Sequence, residues 1–349
     1  MDMITSKKPA SIYDVAKLAG VSPSTVSRYL NRSTYVSDEK SYSIEKAIQK
    51  SGYKVTYKTK GPIKGRSMTI GVLLQNADSP FMIGILKDLE ACLSSRGYSL
   101  VIATGHWKRR LEKHALDYFF KSHVDGVIIV SGDLSDEELI EYSLHTPIVA
   151  VGYNKIKANN ILTIEFDNVL GGYLATLHLL QQGHVNIAHI KGLCTQPDGQ
   201  RRYEGYRRAL KDRGIPVNSR LIKQGDFSSE QGYQKTIELL DSKVYFSAIF
   251  AANDQTAYGA IKALHDRGLR VPEDVSVIGF DDLQTSSYFT PALTTLRQPI
   301  EELGSVCAEA IFKMLSGEEH QVRVPPIDLI VRESTSSIFD VYKNINHNR

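Results

Sequence analysis

Eight short apolar runs constrain this chain more than any other feature: TIGVLL (69–74), SLVIAT (99–104), GVIIV (126–130), PIVAV (147–151), ILTIEF (161–166), NIAHI (186–190), SAIFAA (247–252) and SVIGF (276–280). The first four are each followed by about 8 to 20 residues with helical periodicity, and the later four repeat the alternation. Continuous apolar strands separated by helices indicate parallel sheets built from βαβ units, because only a strand covered on both faces tolerates an unbroken apolar run. Two such sets predict two doubly wound α/β lobes, with a ligand cleft where the strand ends of the lobes face each other.

With 349 residues and 42% hydrophobic content, there is apolar material for two or three domains with cores of their own. The longest apolar runs are about five residues, against the roughly 20 that span a bilayer, and MDMITSKKPASIYDV lacks a secretory apolar stretch. A cytoplasmic protein without membrane contact is expected. Cys92, Cys194 and Cys307 lack metal-like spacing and are expected to be reduced and structural. Net charge is only +3, but residues 1–66 hold 13 Lys/Arg against 5 Asp/Glu, leaving 29 against 34 in the remainder. A basic head of this kind points to a polyanion.

That head has helical punctuation. Ser11 and Asp14 form a capping-box pattern, and Ile12, Val15, Ala16 and Ala19 share one face, predicting a first helix over about 12–19. Gly20 permits a turn, Ser22 can cap the next helix, and Pro23 sits at its first position. This second helix covers roughly 23–30, turning Val26 and Leu30 inward and Ser24, Thr25, Ser27 and Arg28 outward. Ser37, Asp38 and Glu39 start a third, with Ile44, Ala47 and Ile48 inward and Gly52 at its end. Three short helices make a helix-turn-helix head. A helix fits the major groove and an outward Arg can read a guanine through two hydrogen bonds, although the pattern alone also fits a plain helical hairpin.

The run YDVAKLAGVSPSTVSRYLN (13–31), followed by YVSDEK and SGY, resembles the DNA-binding head of the lactose and galactose repressor (LacI/GalR) family, and the resemblance extends over most of the chain. It implies that Pro23, Ser24 and Arg28 fall at base-reading positions, while Ser22, Thr25, Ser27 and Asn31 face phosphates. It further implies a body like the periplasmic binding proteins, crossed by the chain near 164–167, 293–297 and 321–324. The expected organisation is a head over 1–52, a linker over 53–66, an effector-binding and dimerisation body over 67–339 and a polar tail over 340–349. Within the body, the N-lobe takes about 67–165 and 297–321, and the C-lobe about 166–294 and 324–339.

A polyhydroxylated ring needs planar groups for adjacent hydroxyls and an aromatic face for its apolar side. The family places such groups at strand ends, and the resemblance assigns Phe81, Asp167, Arg202, Phe227, Asn253, Asp254 and Asp281 to them. Each has a plainer alternative, such as core packing for Phe81 and Phe227, a helix cap for Asp254 or a surface charge for Arg202. The chain departs from the family at Gly152 and Tyr153, where many members carry an acidic then a basic residue; Tyr153 could offer a hydroxyl or a ring face instead.

The linker also departs. Relatives form a small-residue hinge helix whose leucine wedges into the minor groove, but Val55, Thr56 and Thr59 are poor helix formers, Gly61 and Pro62 break helices, and Pro62 holds the wedge position. Lys54, Lys58, Lys60, Lys64 and Arg66 fit an arm that tracks phosphates, with Pro62 or Ile63 as an apolar wedge, or else a solvated linker. The tail lacks leucine heptads, so no tetramerising coil is expected.

Phosphate-loop, dinucleotide, zinc-protease and nucleophile-elbow motifs are absent, so no enzyme, cofactor or metal is expected. His178, His184 and His189 cluster in sequence but read as packing or surface residues. The reading is a homodimeric regulator, expected to be a repressor, that binds a pseudo-palindromic operator in double-stranded DNA under the control of a sugar-like effector. A purine effector is the alternative within that reading. An exported sugar-binding protein and an enzyme on the same scaffold are the rivals outside it.

Overall fold

The computed structural model describes residues 11–31, 35–51, 53, 65–318 and 324–339. The chain separates into two units, Met1–Ser67 and Met68–Arg349.

In the first unit, α1 (Ile12–Ala19), α2 (Pro23–Asn31) and α3 (Asp38–Ser51) enclose a small core of Val15, Ala16, Val26, Ile44 and Ala47. The backbone N–H of Ser11 donates to the Asp14 carboxylate at 2.7 Å, closing the box that starts α1. Gly20 ends α1 in the left-handed region (φ 66°), which lets the chain turn at once into α2. Residues 54–64, with Lys58 and Pro62, lie outside the described residues, as do the 340–349 tail and the side chains of Leu30 and Asn31.

The second unit contains two parallel-sheet α/β lobes. The N-lobe sheet runs in the order β2 (Ser99–Thr104), β1 (Thr69–Leu74), β3 (Gly126–Val130), β4 (Ile148–Val151), β5 (Ile161–Ile164), all neighbours parallel. Helices α4 (Pro80–Ser95), α5 (Arg109–Lys121) and α6 (Asp136–Ser143) connect these strands. The C-lobe sheet contains β6 (Ile187–Lys191), β7 (Ile222–Gln224), β8 (Ala248–Ala251), β9 (Ser276–Asp281), β10 (Thr294–Arg297) and β11 (Asp328–Ile330). Its order is β11-β10-β9-β8-β6-β7, and only β11 is antiparallel. Its connecting helices are α7 (Asn168–Gln181), α8 (Pro197–Asp212), α9 (Ser229–Asp241) and α10 (Asp254–Asp266).

All eight apolar runs form strands; seven are largely buried, as cover on both faces requires, while SLVIAT forms the edge strand β2 and is exposed or half-buried throughout. The chain passes from β5 into α7, which packs on the C-lobe sheet: a Cβ added at Gly171 would meet the Phe280 ring. It returns after β10 through α11 (Ile300–Ser316), where Gly304 lies against the backbone of Ile85 and Leu89 on α4. Ile327, beyond α11, is back beside Gly171.

Two helix pairs in the C-lobe are joined backbone to backbone. A Cβ at Gly172 would strike the Arg202 carbonyl, and one at Gly205 would strike Val169 and Tyr173, so α7 and α8 cross at glycines. Gly232 and Gly259 do the same for α9 and α10. The three clustered histidines have separate packing roles. His178 bonds Thr335 Oγ1 at 2.9 Å, and His184 bonds Ser247 Oγ and the Ser336 carbonyl, both at 2.9 Å. His189 bonds the Phe250 carbonyl at 2.8 Å and stacks among Tyr203, Tyr206 and Phe250. Among the described residues, no helix is long and apolar enough to cross a membrane.

Candidate functional site

The C-terminal ends of the parallel strands of both lobes open onto one cavity of about 240 Å³. The N-lobe contributes Gln75 at the end of β1, Phe81 and Met82 on the first turn of α4, Trp107 after β2 and Ser131 after β3. The C-lobe contributes Asp198 and Arg202 on α8, Phe227 before α9, Asn253 before α10 and Asp281 at the end of β9. Gln298 lines the cavity from the crossing between β10 and α11.

Arg202 is the organising residue. Its Nε donates to Asn168 Oδ1 at 2.8 Å, its Nη1 donates to the Ala252 carbonyl at 2.6 Å, and the same nitrogen lies 3.6 Å from Asp281 Oδ1. The guanidinium stacks 3.7 Å from the centroid of Phe280, with the Phe227 ring 5.8 Å away. Asn168 Nδ2 donates onward to Asp198 Oδ1 at 2.9 Å, and Gln298 Nε2 donates to Asp281 Oδ1 at 2.7 Å. Asp198, Asn168, Arg202, Asp281 and Gln298 thus form one connected polar row. Burial pushes the Asp281 carboxyl up to about 6, against the pull of Arg202 and Gln298.

On the opposite wall, Gln75 ties two loops together: its Oε1 accepts from the Trp107 backbone N–H at 2.7 Å, and its Nε2 donates to the Ser131 carbonyl at 2.8 Å. Four cavity residues hold left-handed backbone although none is glycine: Trp107 (φ 55°), Ser131 (φ 57°), Phe227 (φ 72°) and Asp281 (φ 116°). Such strain is kept where surrounding bonds over-determine the conformation, and it gathers at binding sites. The first turn of α8 reaches across the cleft, with Gln196 Nε2 donating to the Gly132 carbonyl at 3.1 Å and Arg201 Nη2 donating to Asn154 Oδ1 at 2.7 Å.

Of the residues expected to touch an effector, Phe81, Arg202, Phe227, Asn253 and Asp281 come together on the cavity wall, and Asp167 and Asp254 do not. Asp167 is exposed and caps α7, accepting from the Leu170 N–H at 2.8 Å, while its neighbour Asn168 is the one that turns inward. Asp254 lies behind the wall. Its carboxylate accepts from Leu283 N at 2.8 Å, Ser286 Oγ at 2.6 Å and Thr295 Oγ1 at 2.5 Å, tying α10 to the segments that flank β9 and β10. Tyr153 offers the cavity neither hydroxyl nor ring face; it is buried, with its hydroxyl beside Gly132 and the Glu112 carboxylate. Gln75, Trp107, Ser131, Asp198 and Gln298 were not singled out by the sequence pattern.

On the head, Pro23, Ser24 and Arg28 are exposed along α2, and Thr25 and Ser27 are partly so. Ser22 caps the helix through the Thr25 N–H at 3.2 Å, and its hydroxyl also bonds those of Ser24 at 2.7 Å and Thr25 at 2.8 Å. This leaves a helix N-terminus rich in hydroxyls, the form suited to phosphate, with Arg28 one turn further on.

A family model described as bacterial regulatory proteins, lacI family, matches residues 11–55, and one described as a periplasmic binding protein-like domain matches residues 176–335. The HTH-type transcriptional repressor PurR of Erwinia tasmaniensis is 34% identical over 308 residues, covering 88% of this chain and 89% of that protein. The chain belongs to the LacI family. PurR of Histophilus somni is 31% identical over 333 residues, covering 94% of the chain and 100% of that relative. Among solved structures, the transcriptional regulator CelR–cellobiose complex gives a TM-score of 0.69 at 32% identity, covering 93% of this chain and 99% of that one. The lac repressor dimer bound to operator and the anti-inducer ONPF gives 0.72 at 27% identity, covering 94% and 100%. As a LacI-family member, the protein is a DNA-binding transcriptional regulator.

Proposed function

We propose that this LacI-family regulator is a cytoplasmic homodimeric repressor, without enzymatic activity, that binds a pseudo-palindromic operator and responds to a sugar or sugar derivative held between its lobes. The observation that carries the effector reading is the polar row through Asn168, Arg202 and Asp281, set in a cavity that also holds Phe81, Trp107 and Phe227. Fixed planar donors and acceptors grip adjacent hydroxyls, and ring faces cover the apolar side of a pyranose or furanose. At about 240 Å³ the cavity lies just below the usual range for drug-sized ligands, in keeping with a small effector. The cellobiose named for the CelR structure is in line with this reading.

One head reads too few base pairs for specificity, so two are required, on half-sites about 34–36 Å apart or abutting. Effector binding favours one relative orientation of the lobes and so alters the spacing of the heads; a coupling of about 1–3 kcal/mol suffices. The second reading is a purine effector, favoured by the relatives named PurR and by Phe227, which can stack on either kind of ring. A thermal-shift screen of sugars, sugar phosphates and purines tests the choice. Stabilisation by a sugar is expected; stabilisation by purines alone would replace the ligand class, and no response to any would overturn the effector reading.

A further inference from the structure

The charge around the cavity narrows the ligand beyond "sugar". Four helices direct their N-terminal ends at it: Ser79 before α4, Gln196 before α8, Ser228 before α9 and Asn253 before α10 line the wall or cap those helices. Helix N-termini attract anions, so this geometry alone would favour a phosphorylated ligand. Each of the four has an Asp of the chain at or next to its start. Asp78 precedes the Ser79 cap, Asp198 is in the first turn of α8, Asp226 accepts from the Ser228 N–H at 3.0 Å, and Asp254 opens α10. Among residues lining the cavity, the acidic ones are Asp78, Asp198, Asp226 and Asp281, and the one Lys or Arg is Arg202, already held by Asn168, Ala252 and Asp281. A phosphate would therefore meet acidic side chains, and a single cation already committed to the chain's own acceptors, in a partly desolvated site.

Asp198 has a particular place in this arrangement. Gly152, just after β4, stands where many members of the family carry an acidic residue, and a Cβ built there would lie 3.3 Å from Asp198 Oδ2 and 2.9 Å from Ser131 Oγ. The carboxylate therefore arrives at the same spot from the other lobe, across the cleft bridged by Gln196 and Arg201. Its Oδ1 is held by Asn168, which leaves Oδ2 on the side facing Gly152. We propose that Asp198 is the specificity-determining carboxylate of this cavity, supplied by α8 in place of a side chain at Gly152, and that it makes the regulator select an unphosphorylated, hydroxyl-rich effector. This rests on the sugar reading above.

Asp198→Asn separates the alternatives because the new amide oxygen can still accept from Asn168 while the Oδ2 position becomes a donor. The probes are ribose, glucose, galactose and cellobiose, the 6-phosphates of glucose and galactose, ribose 5-phosphate, and hypoxanthine. Binding is read from the fluorescence of Trp107, the chain's one tryptophan, which lines the cavity, and from thermal shift. The parent is expected to bind at least one neutral sugar and to bind its phosphorylated form at least tenfold more weakly. Asp198→Asn should weaken the neutral sugar roughly ten- to a hundredfold, as loss of a hydrogen bond to a charged group does, and narrow the preference against phosphate. Unchanged neutral-sugar affinity in Asp198→Asn, with the parent's thermal midpoint retained, would overturn the assignment while leaving the sugar reading intact. Equal or tighter binding of a phosphorylated sugar by the parent would overturn the proposal, and response to hypoxanthine alone would overturn both.

Discussion

Truncation of Arg202 to alanine is the sharpest test of how the cavity is built. The substitution removes the donors to Asn168 Oδ1 and the Ala252 carbonyl and leaves Asp281, a buried carboxylate, with Gln298 as its remaining side-chain donor. Breaking a buried ion pair from one side costs about 3–5 kcal/mol, and because the lost bonds belong to one network the terms do not add beyond that range. For a unit the size of Met68–Arg349, each kcal/mol moves the midpoint by about 2–4 °C, so a fall of roughly 6–20 °C is expected by calorimetry. The loss should also depend on pH. Arg202 lowers the Asp281 pKa, so without it the carboxyl stays protonated to higher pH. Below that range the orphaned group is neutral and the variant loses less; above it the charge is buried without its cation and the variant loses more. Arg202→Lys, which keeps the charge but not the planar fork, should fall in between. A drop of less than about 1 kcal/mol in Arg202→Ala, equal at pH 5.5 and pH 8, would refute the clamp.

Three further outcomes follow from other parts of the chain. Arg28→Ala should cost about 1–3 kcal/mol at one base position of the operator, whereas Lys58→Ala should weaken all duplexes alike and reduce the salt dependence by about one charge; unchanged sequence preference in Arg28→Ala, measured by competition binding, would remove α2 from the major groove. Gly205→Ala sets a methyl against the backbone of α7 and should destabilise the body by about 1–3 kcal/mol in urea unfolding; a neutral result would mean that the two helices do not need their close crossing. Burial and the nearby Asp281 raise the Asp254 carboxyl to about 7, so the folded state keeps a proton that the unfolded state has lost. Stability should therefore fall as pH rises from about 4 to about 7 and level off above, and Asp254→Asn should flatten that slope in urea midpoints taken from pH 5 to 8.

The strands were legible because a doubly covered strand shows its environment in every residue, as GVIIV does. The missed strands β7, β10 and β11 are only three or four residues long, too short to carry a period. Arg202 could be found through the resemblance, and the structure adds that Gly205, three residues on, is where α8 crosses α7. Asp167 caps α7, and the residue that turns toward Arg202 is its neighbour Asn168; a cap motif shows only the first. Trp107 and Ser131 were out of reach because their loops depend on left-handed backbone at non-glycine residues, held by Gln75 from a distant strand. Asp198 was hidden in plain view, since an acid in the first turn of a helix reads as a partner of the helix dipole.

On the proposed function, a small hydroxyl-rich molecule in the cavity should change the grip of paired heads on DNA. The direct measurement is fluorescence anisotropy of a palindromic duplex, recovered by selection from genomic DNA, titrated with the full chain with and without the neutral sugar that gives the largest thermal shift. A change in operator affinity of roughly 5- to 150-fold at saturating sugar is predicted, abolished by Arg202→Ala. Identical affinity with and without a sugar shown to occupy the cavity would mean that the cavity does not control DNA binding.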